Sequence, residues 1–180
     1  GETAISLIGN AVLWSATPGH PLHGRIDAES FALVGSSQGA VSTINAHTRF
    51  ALGRCATTLA IHGIPSRDAI DFFRLDIAYD ASGVTAPTLV LTGTEDEFIS
   101  PVSLNQLIFD GLSPSTLNLF GVARGADHIE LAGDAGRFRG YLTAWLAFQL
   151  QGDTDAAGAF LGPAEMASNP AWMSVNVTGH

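Results

Sequence analysis

Three residues lie at spacings that suit nucleophilic catalysis. Ser37 stands in Gly35-Ser36-Ser37-Gln38-Gly39, directly after the apolar run Phe31-Ala32-Leu33-Val34. G-x-S-x-G at the end of a strand is the pattern of a nucleophile raised on a tight strand-to-helix turn. Such a turn strains the backbone of the nucleophile, so its neighbours must be small. Gly35 and Gly39 supply that room. Ser37 would carry the attacking hydroxyl, and the N–H of Gln38 would face the oxygen on which negative charge develops. Glycine and serine are common in turns, so the motif alone also fits a plain strand–turn–helix crossover with an incidental serine.

A serine hydroxyl is a poor nucleophile at neutral pH and needs a base within hydrogen-bond reach, normally a histidine oriented by a carboxylate. In a parallel sheet these groups belong on loops beyond the carboxyl ends of the strands. The apolar run Thr88–Thr92 is followed by Gly93-Thr94-Glu95-Asp96-Glu97, which makes Asp96 the candidate acid. Glu95 and Glu97 compete with it, and three acids in one loop also fit a solvated turn. The run Thr116–Val122 is followed by Ala123-Arg124-Gly125-Ala126-Asp127-His128, which makes His128 the candidate base. The order serine, acid, histidine suits a nucleophile on such a turn.

The rival His62 also ends an apolar run, Cys55–Ile61, but it precedes the acid in the chain. It is read as a pocket-lining residue. His20, His23, His47 and His180 read as loop, helix-surface or tail residues. Phe98, Ile129 and Ile64 are candidate apolar residues of a substrate pocket, with core packing as the equal alternative.

These groups need a scaffold. Apolar residues at helical spacing predict helices from Glu2 to Trp14, from Gln38 to about Phe50, and from Phe138 to Leu150. Another runs from Ser100, as N-cap, with Pro101 in the first turn, to Gly111. Residues 64–84 read as a short helix and loop, a small cap over the strand ends. Near-continuous apolar strands alternating with helices predict an α/β fold, a parallel sheet flanked by helices. One domain over residues 1–162 and an irregular tail over 163–180 follow.

Composition narrows the partners. Of 180 residues, 46% are hydrophobic and 14% charged, enough for one well-formed core. A net charge of −9 argues against nucleic acid or an anionic membrane surface as partner. The single cysteine, Cys55, excludes an internal disulfide framework and a cysteine-based zinc site. No apolar stretch is long enough for a transmembrane helix.

With Ser37, Asp96 and His128 placed, the chain resembles the carboxyl-terminal half of an α/β-hydrolase. It is most similar to the dienelactone-hydrolase-like and bacterial cutinase or polyester-hydrolase branch. The residues that carry the likeness are Gly24-Arg25-Ile26-Asp27 leading into Phe31–Ala40, the stretch Ala86–Asp96, Gly125–Leu131, and Tyr141 to Leu146. The resemblance implies hydrolysis of a small-molecule or polymeric carboxylic ester through an acyl-enzyme, with no cofactor. It is compatible with secretion, although no signal peptide is visible and the compartment stays open. Acyl transfer on the same framework and a non-catalytic subunit are the alternatives. In that family several strands precede the nucleophile turn, whereas here about 30 residues do. The expectation is therefore a sheet that lacks its first half, completed by a second polypeptide or a processed segment.

Overall fold

The apolar runs of the sequence become strands covered on both faces. The computed structural model describes residues 2–27, 29–50, 53, 55–64 and 80–179. Among these, β1 (Phe31–Ser36), β2 (Cys55–Ile61), β3 (Thr88–Gly93), β4 (Asn118–Ala123) and β5 (Trp172–Thr178) form one sheet in the order β1-β2-β3-β4-β5. The first four strands are parallel and β5 runs antiparallel to β4. The fold is therefore α/β with a mostly parallel sheet.

The side-chain alternation of a strand explains the continuous apolar runs. Leu59, Ile61, Leu89, Leu91 and Leu119 point to one face, where they meet Trp145 and Tyr141 of α4 (Arg139–Gln151). Ala60, Val90, Phe120 and Val122 point to the other. There they meet Ala40 and Ile44 of α2 (Gln38–Phe50), and Ile108 and Phe109 of α3 (Val102–Gly111). The first helix, α1 (Glu2–Ala16), packs through Ile8 against a smaller cluster around Leu33 and Phe31. Trp145 is fully buried, and its Nε1–H donates to Thr57 Oγ1 at 2.7 Å, so its one polar atom is satisfied.

Three expectations need correction. Residues 163–180 are not an irregular tail, because they hold a short helix (Glu165–Ser168) and β5. The strand Trp172–Thr178 has only a brief apolar–polar alternation, and the preceding Gly-, Ala- and Pro-rich stretch masks it. Pairing with β4, from Asn118↔Thr178 to Val122↔Ser174 and, after a register shift, Ala123↔Trp172, supplies what local propensity does not. His47 is not on a helix surface. It is buried on α2, with Nε2 between the N–H and Oγ1 of Thr85 at 3.1 and 3.0 Å. Ser100 does not cap α3, which begins at Val102 after Pro101 with no side-chain cap. Ile64 is buried, 1% exposed, which fits the packing alternative. The cap expected over 64–84 falls mostly on residues 65–79, which lie outside the described residues.

β1 stands at one edge of the sheet and pairs on one side, with β2. Val34 in its centre is 50% exposed. No helix among the described residues is long and apolar enough to cross a membrane.

Candidate active site

At the end of β1 the chain turns into α2 within a single residue, Ser37. Its φ is +57°, a left-handed conformation that is costly for any residue with a side chain. Two hydrogen bonds hold it there. The Ser37 N–H donates to Ile61 O at 2.9 Å, and the Ala40 N–H donates to Ser37 O at 3.0 Å, closing the first turn of α2. Gly35 is obligatory, since a Cβ on it would collide with the backbone carbonyl of Gly39. Gly39 itself faces open space, so the sequence argument holds for the first glycine and not for the second. Gln38 opens α2, where the first N–H groups have no partner within the helix.

The candidate acid and base arrive from the loops after β3 and β4. Gly93 ends β3, and a Cβ there would overlap the Ala126 carbonyl. The bare backbone lets the loops after β3 and β4 lie against each other. Thr94 N–H donates to Ala123 O and Glu95 N–H to Ala126 O, both at 3.0 Å, and Gly125 N–H donates to Thr94 Oγ1 at 2.8 Å. This brings Asp96 to His128. The histidine loop is pinned from behind by Glu130, which accepts from Arg137 N–H at 2.9 Å and from its guanidinium at 2.7 Å.

The result is a continuous hydrogen-bonded chain. His128 Nδ1 lies 2.7 Å from Asp96 Oδ2, and His128 Nε2 lies 3.0 Å from Ser37 Oγ. An ionised carboxylate only accepts, so Nδ1 of His128 carries the proton and Nε2 accepts from the Ser37 hydroxyl. The Asp96 side chain is 1% exposed and that of His128 20%. Burial pushes the Asp96 carboxyl up. Hydrogen bonds from His62, His128 and the Ser100 N–H, together with the charge of His128, outweigh this and hold it below the usual carboxylate range.

His62, expected to line a pocket, is engaged with the candidate acid. It is fully buried, and its Nδ1 donates to the same oxygen, Asp96 Oδ2, at 2.8 Å. The signal was its position, at the end of β2, one strand from the acid. Ser100 and Asn105 were missed altogether. Ser100 N–H donates to Asp96 Oδ1 at 3.0 Å, and its hydroxyl donates to Gly63 O. Asn105 is fully buried on α3 and accepts from Gly63 N–H at 2.9 Å while donating to Ser100 Oγ at 2.7 Å. The two residues clamp the loops that carry His62 and Asp96.

A cleft of about 280 Å3 opens beside His128, lined by Glu95, Asp96, Phe98, Ile99, Asp127 and Ile129. Phe98 and Ile129, both expected in a pocket, stand on its wall and are 86% and 70% exposed. The donor atoms of His62, Asp96 and His128 lie within 4.8 Å of one another, close enough to hold a metal ion. The same atoms are already joined through N–H···O bonds, and an ion would have to displace both imidazole protons.

No protein-family model matches this chain, and no curated protein matches it.

Proposed function

We propose that the chain is a serine hydrolase of the α/β-hydrolase kind that cleaves carboxylic esters through an acyl-enzyme. The unbroken relay from Ser37 Oγ through His128 to Asp96 carries this reading. His128 Nε2 takes the Ser37 proton as Oγ attacks the ester carbonyl. The Gln38 N–H, at the head of α2, donates to the oxyanion of the tetrahedral intermediate. As that intermediate collapses, His128 returns the proton to the departing alcohol, leaving Ser37 acylated. Water then attacks the acyl carbon and gives its proton to His128, and a second collapse releases the acid and restores the serine. Asp96 stays ionised throughout, holding the imidazole in the Nδ1–H tautomer and stabilising it when it charges. The apolar side chains of Phe98 and Ile129 beside His128 favour an ester with an apolar group.

An oxyanion hole of this type takes two N–H donors, one from the nucleophile turn and one from a separate loop. Gln38 provides the first. Among the described residues β1 pairs with β2 alone, and Val34 on it is half exposed, which favours a further strand-bearing segment on that edge, in the same or a second polypeptide. That segment would complete the sheet and supply the second donor.

Turnover of p-nitrophenyl esters of increasing acyl length tests the reading. The activity expected is lost in Ser37→Ala. Activity that persists undiminished in Ser37→Ala would end the proposal.

A further inference from the structure

We propose that His62 is a positioning residue for the Ser37–His128–Asp96 relay: its Nδ1–H locks the Asp96 carboxylate and shares Oδ2 with His128, which limits how much negative charge His128 can use. The kinetic part of this inference rests on the hydrolase reading above.

Three observations carry it. Asp96 has three donors fixed around it, His62 and His128 on Oδ2 at 2.8 and 2.7 Å and the Ser100 N–H on Oδ1 at 3.0 Å. Oδ1 is held by one donor and Oδ2 by two, so His62 doubles the hold on the oxygen that orients His128. His62 is also held against two local costs. Its φ is +48°, and its buried Nε2 has no hydrogen-bond partner among the described residues. The His62 N–H donates to Leu91 O at 2.8 Å, and Asn105 holds the next residue, Gly63, so the backbone aims this ring at Asp96. Lastly, among the described residues the ring packs edge-on against two aromatic neighbours, Phe138 at 5.3 Å and His128 at 5.5 Å. With Nδ1–H spent on Asp96, the remaining nitrogen is a bare acceptor in apolar company. A histidine kept only for packing would have no need of the donor.

The sharing has a direction. An oxygen that accepts two N–H bonds offers less charge to either donor. The titratable side chains bonded to Asp96 among the described residues are His62, from the loop after β2, and His128, from the loop after β4, with Glu95 and Glu97 beside it in the chain. Around His128 they are Asp96, with Glu95 and Asp127 on the cleft wall. Removing the His62 donor therefore frees Oδ2 to stabilise a charged His128 and loosens the carboxylate at the same time.

The test uses three substitutions. His62→Asn places its amide nitrogen where Nδ1 lies and tolerates positive φ. His62→Gly tolerates the same φ without a donor, and His62→Leu fills the space without one. For His62→Gly and His62→Leu, kcat on a p-nitrophenyl ester falls about tenfold or more with KM little changed. The acid limb of kcat/KM moves to higher pH, by about half a pH unit. His62→Asn recovers most of the rate and returns the limb. A proton spectrum adds a readout independent of turnover. The wild type shows two downfield imidazole N–H resonances; Gly and Leu lose one and shift the other, whereas Asn loses one and leaves the other in place. If Leu unfolds, the Gly and Asn pair decides. Unchanged kinetics and an unmoved His128 resonance in folded His62→Gly would overturn the inference, as would a loss that Asn does not rescue. A wild type without esterase activity removes the hydrolase reading, and the spectrum then decides alone on His62.

Discussion

Ser37 and His128 are 91 residues apart in the chain, yet Oγ and Nε2 lie 3.0 Å from each other. They leave β1 and β4, with two strands between them in the sheet. The gap closes because the loop after β4 folds back over Gly93, whose missing side chain admits the Ala126 carbonyl. Asp96, beneath, then fixes the ring. Ser37 is held against its strained backbone by hydrogen bonds to Ile61 and Ala40, and His128 by the loop packed on β3.

The relay makes Asp96 the residue whose loss is most specific. In Asp96→Asn the fold keeps its shape, but the amide disrupts the tautomer that presents Nε2 to Ser37. The kcat for ester hydrolysis falls by about four orders of magnitude, the scale of this substitution in a serine triad. A steady-state assay with the variant shown to be folded by circular dichroism measures it.

Asp96 also sets a pH dependence of stability. Its carboxyl is held below the ordinary value of about 3.9, so the folded state favours the ionised form. This contribution is complete above the unfolded value and is lost as pH falls through the lower folded value. Urea unfolding at neutral pH therefore separates wild type from Asp96→Asn, and the difference narrows as pH drops below the ordinary carboxylate range. A gap that widens on acidification would contradict the hydrogen bonding at Asp96.

The two glycines of the nucleophile turn differ sharply in what they tolerate. Gly35→Ala drives a methyl into the Gly39 carbonyl and costs about 2–4 kcal/mol. Gly39→Ala meets open space inside α2, and the better helix propensity of alanine stabilises by up to about 1 kcal/mol. Thermal melts of the pair check the contrast.

Asn105→Ala leaves the buried Gly63 N–H without its acceptor and Ser100 without its donor. The expected loss is about 1–3 kcal/mol of stability. Activity falls with it, because Ser100 and Gly63 carry the partners of Asp96. Urea unfolding and esterase turnover on the same preparation measure both.

The sequence disclosed Ser37, Asp96 and His128 because each follows a strand long enough to be read from its apolar run. Phe98 and Ile129 were legible for the same reason, as neighbours of the acid and the base. His62 was visible but its partner was not, since chain order cannot say that two histidines share one oxygen. Ser100 and Asn105 were hidden because their roles exist only after three loops converge. Gly39 was over-read from a motif whose crowding, in this turn, falls entirely on Gly35. The strand Trp172–Thr178 escaped because an edge strand draws its stability from the partner it pairs with.

The central claim is that Ser37 is an activated nucleophile. Incubation with a fluorophosphonate, followed by peptide mapping, tests it most directly. The account predicts one phosphonylated residue, Ser37, with labelling abolished in Ser37→Ala and strongly slowed in His128→Ala. An unlabelled Ser37 in folded protein, or labelling that ignores the loss of His128, would contradict it.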